Sequence, residues 1–199
     1  MALVVARYNE DISWITEFSK KYIYNKGDSS TIPAGLLDSV ISLPNVGREA
    51  HTYLHHIIQN YDNLDDITIF SQGRYSDHIG FSPQVFKEQF SNISGYSRNY
   101  IDSSCWGINK RDYKFNIQNW NNSCIGHGDL EYGPWFERVF KQPYNNSTLV
   151  YCAAIFSVDK QHILSRPKIF YESLIKELDY HSAPIEAHFM ERSWLEVFT

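Results

Sequence analysis

The stretch that decides the fold is ALVVAR, Ala2 to Arg7, with the polar run Tyr8-Asn9-Glu10-Asp11 behind it. An apolar run this short that stops at polar residues reads as a buried strand rather than a helix. Asn9 or Asp11 can then cap a helix whose apolar residues Ile12, Trp14, Ile15 and Phe18 fall at spacings of three and four. KYIYN, Lys21 to Asn25, is a second short strand stopped by Gly27, and a polar loop with Pro33 and Gly35 follows. Pro44-Asn45-Val46-Gly47 is turn chemistry. The spacing of Ala50, Leu54, Ile57, Ile58 and Tyr61 predicts a helix over Arg48–Tyr61. Ile67–Ser71 is a third strand broken by Gln72-Gly73, and Ser82-Pro83 opens a helix carrying Phe86 and Phe90.

Strands alternating with helices need crossover connections, so the chain is expected to be α/β, with a central mostly parallel mixed sheet flanked by helices. Ligands of such sheets bind beyond the carboxyl ends of the strands. The segments to search are therefore Arg7-Tyr8-Asn9, Asn25-Lys26-Gly27, Gln72 to His78 and the residues after Val158. Further along, Asn109–Cys124 reads as a long polar loop with Trp106, Phe115 and Trp120 anchored in and around it. Gly133-Pro134 opens a short helix through Phe140, and Leu149–Val158 is a last strand. Helices are expected over Pro167–Asp179 and Pro184–Phe198. No repeat or low-complexity tract divides the chain, so 1–199 is expected to be a single domain.

The 199 residues carry a net charge of −5, with 43% hydrophobic and 21% charged residues. Those proportions exclude a disordered or collagenous chain. The negative balance argues against a nucleic-acid partner or an anionic membrane held by a broad basic face. No apolar run reaches the length of a membrane span. Cys105, Cys124 and Cys152 are odd in number and lack paired spacing, which fits a reducing compartment better than a disulfide framework. A cytoplasmic location is expected. Aromatic residues make up 16% of the chain, enough for an aromatic core and for rings that stack on a sugar or a base.

Several motifs fail. Neither a dinucleotide fingerprint nor a P-loop is present. His51 and His55 have zincin spacing, but Thr52 stands where the catalytic Glu belongs, so they read as helix-surface histidines. No nucleophile elbow precedes a helix. What remains sits at strand ends. Ser76-Asp77-His78 follows the third strand with a carboxylate and an imidazole, both ligands of divalent metals. His188, Glu191, Arg192 and Leu195 fall on one face of the final helix. Arg48 stands at a helix N-terminus, where amides and a guanidinium can face an anion together, and Arg7 can add to that patch.

Three segments carry a resemblance: Val4 to Asp11, Ile23 to Gly27 and Leu43 to Ala50. Phe156-Ser157-Val158, Ser165-Arg166-Pro167 and Ala187 to Arg192 add to it. In this order they resemble the GT-A glycosyltransferases, in particular the small glycosyltransferase domain encoded by large algal DNA viruses. The resemblance implies a GT-A-like (Rossmann-like) fold with a nucleotide-binding half over about 1–80 and an acceptor half over about 81–199. It implies a glucose- or rhamnose-like hexose moving from a UDP-sugar to the hydroxyl of a glycan or glycoprotein acceptor, in the host cytoplasm if the protein is viral.

Matched residue by residue, Ala6, Arg7, Tyr8, Asn25, Lys26 and Gly27 hold the donor, with Arg48, Gln72 and Gly73 beside them. Asp77 and His188 hold Mn²⁺ or Mg²⁺. No Asp-x-Asp is present, and Asp65-Asp66 lies before the third strand, at the wrong end. The metal and nearby cations neutralise the departing UDP. Glu191, Asp129 and Glu131 are candidates for a base toward the acceptor, and Trp106, Trp120, Tyr132 and Trp135 for stacking on its sugar. A non-catalytic nucleotide-sugar or carbohydrate-binding module is the first alternative, and a metal-dependent hydrolase a distant second. The chain is compatible with being one part of a longer protein.

Overall fold

Strand β1, Ala2–Arg7, is the spine of the molecule. The computed structural model describes residues 1–91, 96–97, 113–115, 117, 125–145 and 154–199. On one side β1 pairs in parallel with β2, Lys21–Asn25, in the register Leu3 to Lys21 through Arg7 to Asn25. On the other it pairs in parallel with β4, Ile67–Gln72. Strand β3, Val40–Ser42, extends the sheet beyond β2, also in parallel. Strand β6, Phe156–Asp159, runs antiparallel to β4, and the two-residue β5, Tyr96–Ser97, runs antiparallel to β6. The order is β3-β2-β1-β4-β6-β5, a mostly parallel mixed sheet as expected.

Alternation along the strands divides the core into two layers. Val4, Tyr24, Phe70, Phe156 and Val158 face one side. There they meet α1 (Arg48–Asn60), α3 (Tyr132–Phe140), α5 (Lys168–Ile175), α6 (Ile185–Glu191) and α7 (Trp194–Val197). Leu3, Val5, Ile23 and Ile69 face the other side. They meet a 3₁₀ turn, Ser13–Glu17, and α2, Pro83–Ser91, whose Phe86 and Phe90 are fully buried. Trp14, Phe18, Tyr75 and Phe86 interlock there edge to face. Phe18 and Phe86, fully buried, each contribute about 1.5–3 kcal/mol and the partly buried Trp14 packs on them, which ties the short turn to the sheet.

The segment after β1 departs from expectation. Asp11 Oδ1 accepts from Ser13 N–H in a local turn, but Ile12 is the N-cap and only one 3₁₀ turn follows, where a helix capped by Asn9 or Asp11 was expected. Strand β3 was not foreseen, since three residues leave no periodicity to read. The short α4, Lys160–Leu164, was also missed, although Asp159 caps it by accepting from His162 N–H. The predicted last helix is two. Ser193 Oγ donates to the Phe189 carbonyl four residues back and meets Tyr132 Oη at 2.9 Å, and the chain turns there between α6 and α7. Helix α5 ends at Ile175, short of Asp179. Most of Asn109–Cys124, and residues 149–153 of the expected last strand, lie outside the described residues. No described helix is long and apolar enough to cross a membrane.

Candidate functional site

Because β1 has β2 on one side and β4 on the other, chain direction across the sheet reverses between β1 and β4. That is where an open α/β sheet leaves a crevice. A cavity of about 310 Å³ opens there. Ala6, Arg7, Tyr8 and Glu10 line it from the end of β1, Lys26 from the end of β2 and Gln72 from the end of β4. Asn45, Arg48 and Glu49 come from the turn into α1, and Ser182 and Ala183 from the segment before α6.

Arg7 is the frame of this site. Its side chain is 1% exposed, and its guanidinium donates to Glu10 O, Asn25 Oδ1, Asp28 O and Thr31 Oγ1 at 2.6–3.2 Å. A cation so committed to loop oxygens has little left for a ligand anion, so its expected place in an anion patch is corrected to a structural one. Asn25, 2% exposed, is its partner below the cavity. Gly27 and Gly73 are spacers. A Cβ on Gly27 would sit 1.6 Å from the Tyr8 carbonyl, and one on Gly73 would sit 2.7 Å from Glu10 Oε2.

Lys26 and Arg48 form the cationic corner. Lys26 Nζ donates to the carbonyls of Val46 and Arg48, within the turn that starts α1. Burial pulls its pKa down to about 8, while Glu49 pulls the other way. The turn is strained: Gly47 has φ 61° and Arg48, a residue with a side chain, has φ 49°. Packing holds it, since a Cβ on Gly47 would meet His51 and Leu178 within 2.7 Å, and Gly47 N–H donates to His181 O. The first amides of α1 have no carbonyl one turn back and carry partial positive charge toward the cavity end of the helix.

Two carboxylates oppose these cations. Glu10 Oε2 accepts from Tyr8 N–H at 2.6 Å and Asn9 N–H at 3.2 Å, and Glu49 Oε2 lies 3.7 Å from Arg48 Nε. At the rim, Tyr8 is 50% exposed. Such a pocket suits a small polar ligand with an anionic group, hydroxyls and a flat ring.

The remaining predicted residues lie elsewhere. Asp77 is exposed on a 3₁₀ turn, 3.8 Å from Arg74, and does not line the cavity. A separate hollow of about 250 Å³, lined by Asp11, Ser13, Trp14, Arg74, Tyr75 and Ser76, lies beside that turn. His78 does reach the site's edge, with Nε2 3.1 Å from Gln72 Oε1. His188 is buried in α6 with Nδ1 3.8 Å from Glu191 Oε2, and its carbonyl accepts from Arg192 at 2.7 Å. Arg192 stacks over the Phe115 ring. His188 and Glu191 are absent from the cavity lining. Among the described residues no three His, Cys, Asp or Glu side chains converge on a metal position.

Asp129 is held by Arg138 at 2.6 Å, and Arg138 also takes both oxygens of Glu177. It is an ion-pair partner, away from the cavity lining. Tyr132 and Trp135 are core residues, 1% and 0% exposed, packed on Phe189, so neither offers a ring to an acceptor. Trp106 and Trp120 lie outside the described residues. The helix-surface reading of the histidines is also corrected. His51 is buried and His55 half-buried, and burial lowers both pKa values, that of His51 to about 3; the neighbouring His56 is buried too, and burial takes its pKa down to about 4.

The sequence reading missed Glu10, Asn45, Glu49, Ser182 and Ala183 as lining residues. Glu10 and Glu49 directly follow residues it had selected. Ser182 and Ala183 carry no local signal, because tertiary contacts bring them there. His181 O holds Gly47 N–H, and Ile125 pairs with Pro184. The buried Glu186 accepts from the His127 and Gly128 amides and from Tyr180 Oη.

The chain matches, over residues 3–199, the family described as "Protein of unknown function (DUF3431)". No curated protein matches it. No solved structure matches it either.

Proposed function

As a member of the DUF3431 family, matched over nearly its whole length, this chain has a site that must speak for itself. We propose that it is a nucleotide-sugar-dependent glycosyltransferase with a GT-A-like sheet, transferring a hexose from a UDP-sugar to a glycan hydroxyl. The observation that carries the reading is the cavity at the β1–β4 reversal, where Ala6, Arg7, Tyr8, Lys26, Arg48 and Gln72 all contribute lining. These are residues that the resemblance assigns to the donor.

The chemistry follows from the lining. Lys26, Arg48 and the first amides of α1 receive the diphosphate and oppose the charge that builds on it as the sugar leaves. The half-exposed Tyr8 ring offers a face to the base, and Glu10 and Gln72 offer acceptors to ribose or sugar hydroxyls. An inverting reaction needs a carboxylate near the acceptor hydroxyl. Glu10 and Glu49 stand in the lining, where Asp129 and Glu191 do not. Glu10 and Glu49 are the carboxylates of this lining, and among the described residues no third His, Cys, Asp or Glu joins them in a metal-holding group.

The test is a thermal-shift panel of UDP, UDP-glucose, GDP and CMP in EDTA and in Mn²⁺, followed by UDP release in the presence of glycan acceptors. A ligand at a hundredfold excess over its Kd adds about 2.7 kcal/mol of stability, a readily measured shift. UDP should raise the melting temperature more than CMP, and Lys26→Met should remove that rise. No response to any nucleotide refutes the reading. Binding without UDP release favours the non-catalytic module, the alternative supported by Asp77 and His188 standing outside the lining.

A further inference from the structure

We propose that Lys26 is an imine-forming lysine. The cavity takes a small phosphorylated aldehyde, with the phosphate on Arg48 and the first turn of α1 and the carbonyl carbon on Lys26 Nζ. The amine is held in place rather than free in solvent, because the Val46 and Arg48 carbonyls both accept from it. These carbonyls belong to the strained turn, so they fix the amine relative to the start of α1.

Burial favours the neutral, nucleophilic form and brings the pKa down to about 8, against the pull of Glu49. Lys20 is the contrast: it is exposed and paired with Asp65, which pushes its pKa upward. The charged groups around Lys26 come from two directions. Glu49 and Arg48 lie in the first turn of α1, and His51 and His55 follow along that helix, where both feel the Lys26 charge. Glu10 and the committed Arg7 come from the end of β1. A cavity of about 310 Å³ has room for a small ring or short chain with its phosphate.

The step balances without a co-reactant. The ammonium gives two protons to the aldehyde oxygen, which leaves as water, and the third proton stays on the nitrogen of the new C=N bond. That protonated imine keeps one N–H for the two carbonyls and a positive charge opposite Glu10 and Glu49.

The experiment treats the full chain with pyridoxal 5′-phosphate, traps imines with borohydride and maps the labelled peptides between pH 6.5 and 9.5. No nucleotide sugar is present, so the outcome is separate from that of the transferase reading. Lys26 should dominate the map, since its lowered pKa gives it on the order of a hundredfold more free amine than an exposed lysine at neutral pH. Its labelling should be half-maximal near pH 8. Pyridoxal without the phosphate should label Lys26 roughly tenfold more slowly, as should the phosphate ester on Arg48→Met, and inorganic phosphate should protect. Lys26→Arg should lose the adduct and keep its far-UV spectrum. If that variant does not fold, the pH midpoint and phosphate protection of the parent decide. Label spread over lysines by exposure overturns the proposal, and so do equal rates for the two aldehydes.

Discussion

Replacing Arg7 by lysine separates two roles for one cation. As a ligand for a diphosphate, Arg7 needs only its charge, which lysine keeps. As a frame, it needs the planar fork that reaches Glu10 O, Asn25 Oδ1, Asp28 O and Thr31 Oγ1. A lysine ammonium is a single point with three donors and no fork, so it keeps at most two of those bonds. A hydrogen bond to a charged group is worth about 1.5–3 kcal/mol, and two lost bonds therefore cost about 3–6 kcal/mol. Against a typical domain stability of about 5–15 kcal/mol, Arg7→Lys should fold but denature early. Urea titration followed by tryptophan fluorescence should show a lower midpoint at an unchanged slope. Arg7→Met should fall further, because the shared oxygens then lack any donor. A lysine variant within about 0.5 kcal/mol of the parent, with weaker nucleotide binding, would refute the frame and restore the ligand role.

Gly27→Ala should cost about 3 kcal/mol, since its Cβ would meet the Tyr8 carbonyl and Asn9 Oδ1 and the loop must shift; denaturation gives the cost, and the nucleotide shift should vanish with it. The pH dependence has two limbs of known sign. Lys26 titrates at about 8 in the fold and near 10.5 unfolded, so its cost is present below pH 8 and is relieved, by up to about 3 kcal/mol, between those values. The parent should therefore gain on Lys26→Met across that window, a difference in which the tyrosine contributions cancel. His56 is lowered to about 4 and His51 to about 3, so the unfolded chain takes up these protons first and stability falls as pH drops below 6.5; the His56 share is about 3 kcal/mol, and in acid titrations His56→Gln should make this limb shallower by that share while the His51 share remains. Asp77→Asn should leave both the melting temperature and the nucleotide shift in EDTA unchanged, within about 0.5 kcal/mol. A smaller shift in EDTA would put Asp77 in the binding face.

What was legible in the chain was whatever local pattern encodes. ALVVAR and ITIF announce central strands because both their faces are buried, and the stripe from Ala50 to Tyr61 announces α1 because its apolar residues recur at helical spacing. The strand ends followed, and with them Tyr8, Lys26, Arg48 and Gln72 in the lining. Residue type misled where an aromatic or an acid has two uses. Trp135 looks the same in a core as in a sugar site, and Asp129 looks the same as a base or as a partner of Arg138, nine residues on. Arg7 was found but cast as a ligand group, because its partners Asp28 and Thr31 lie in a loop without periodicity. The break at Ser193 depends on Tyr132, a contact no local window contains.

The Ser182–Ala183 wall has a consequence for the order of events in the protein's synthesis. The cavity floor is made from residues between Ala6 and Gln72, while this wall comes from Ser182 and Ala183, more than a hundred positions further along the chain. Closing so long a loop is slow, and it cannot happen before Ser182 has been made. A ligand therefore cannot template the nascent sheet. It can only select finished molecules, and a chain stalled before Ser182 should be soluble to a degree yet unable to respond to any ligand of the site.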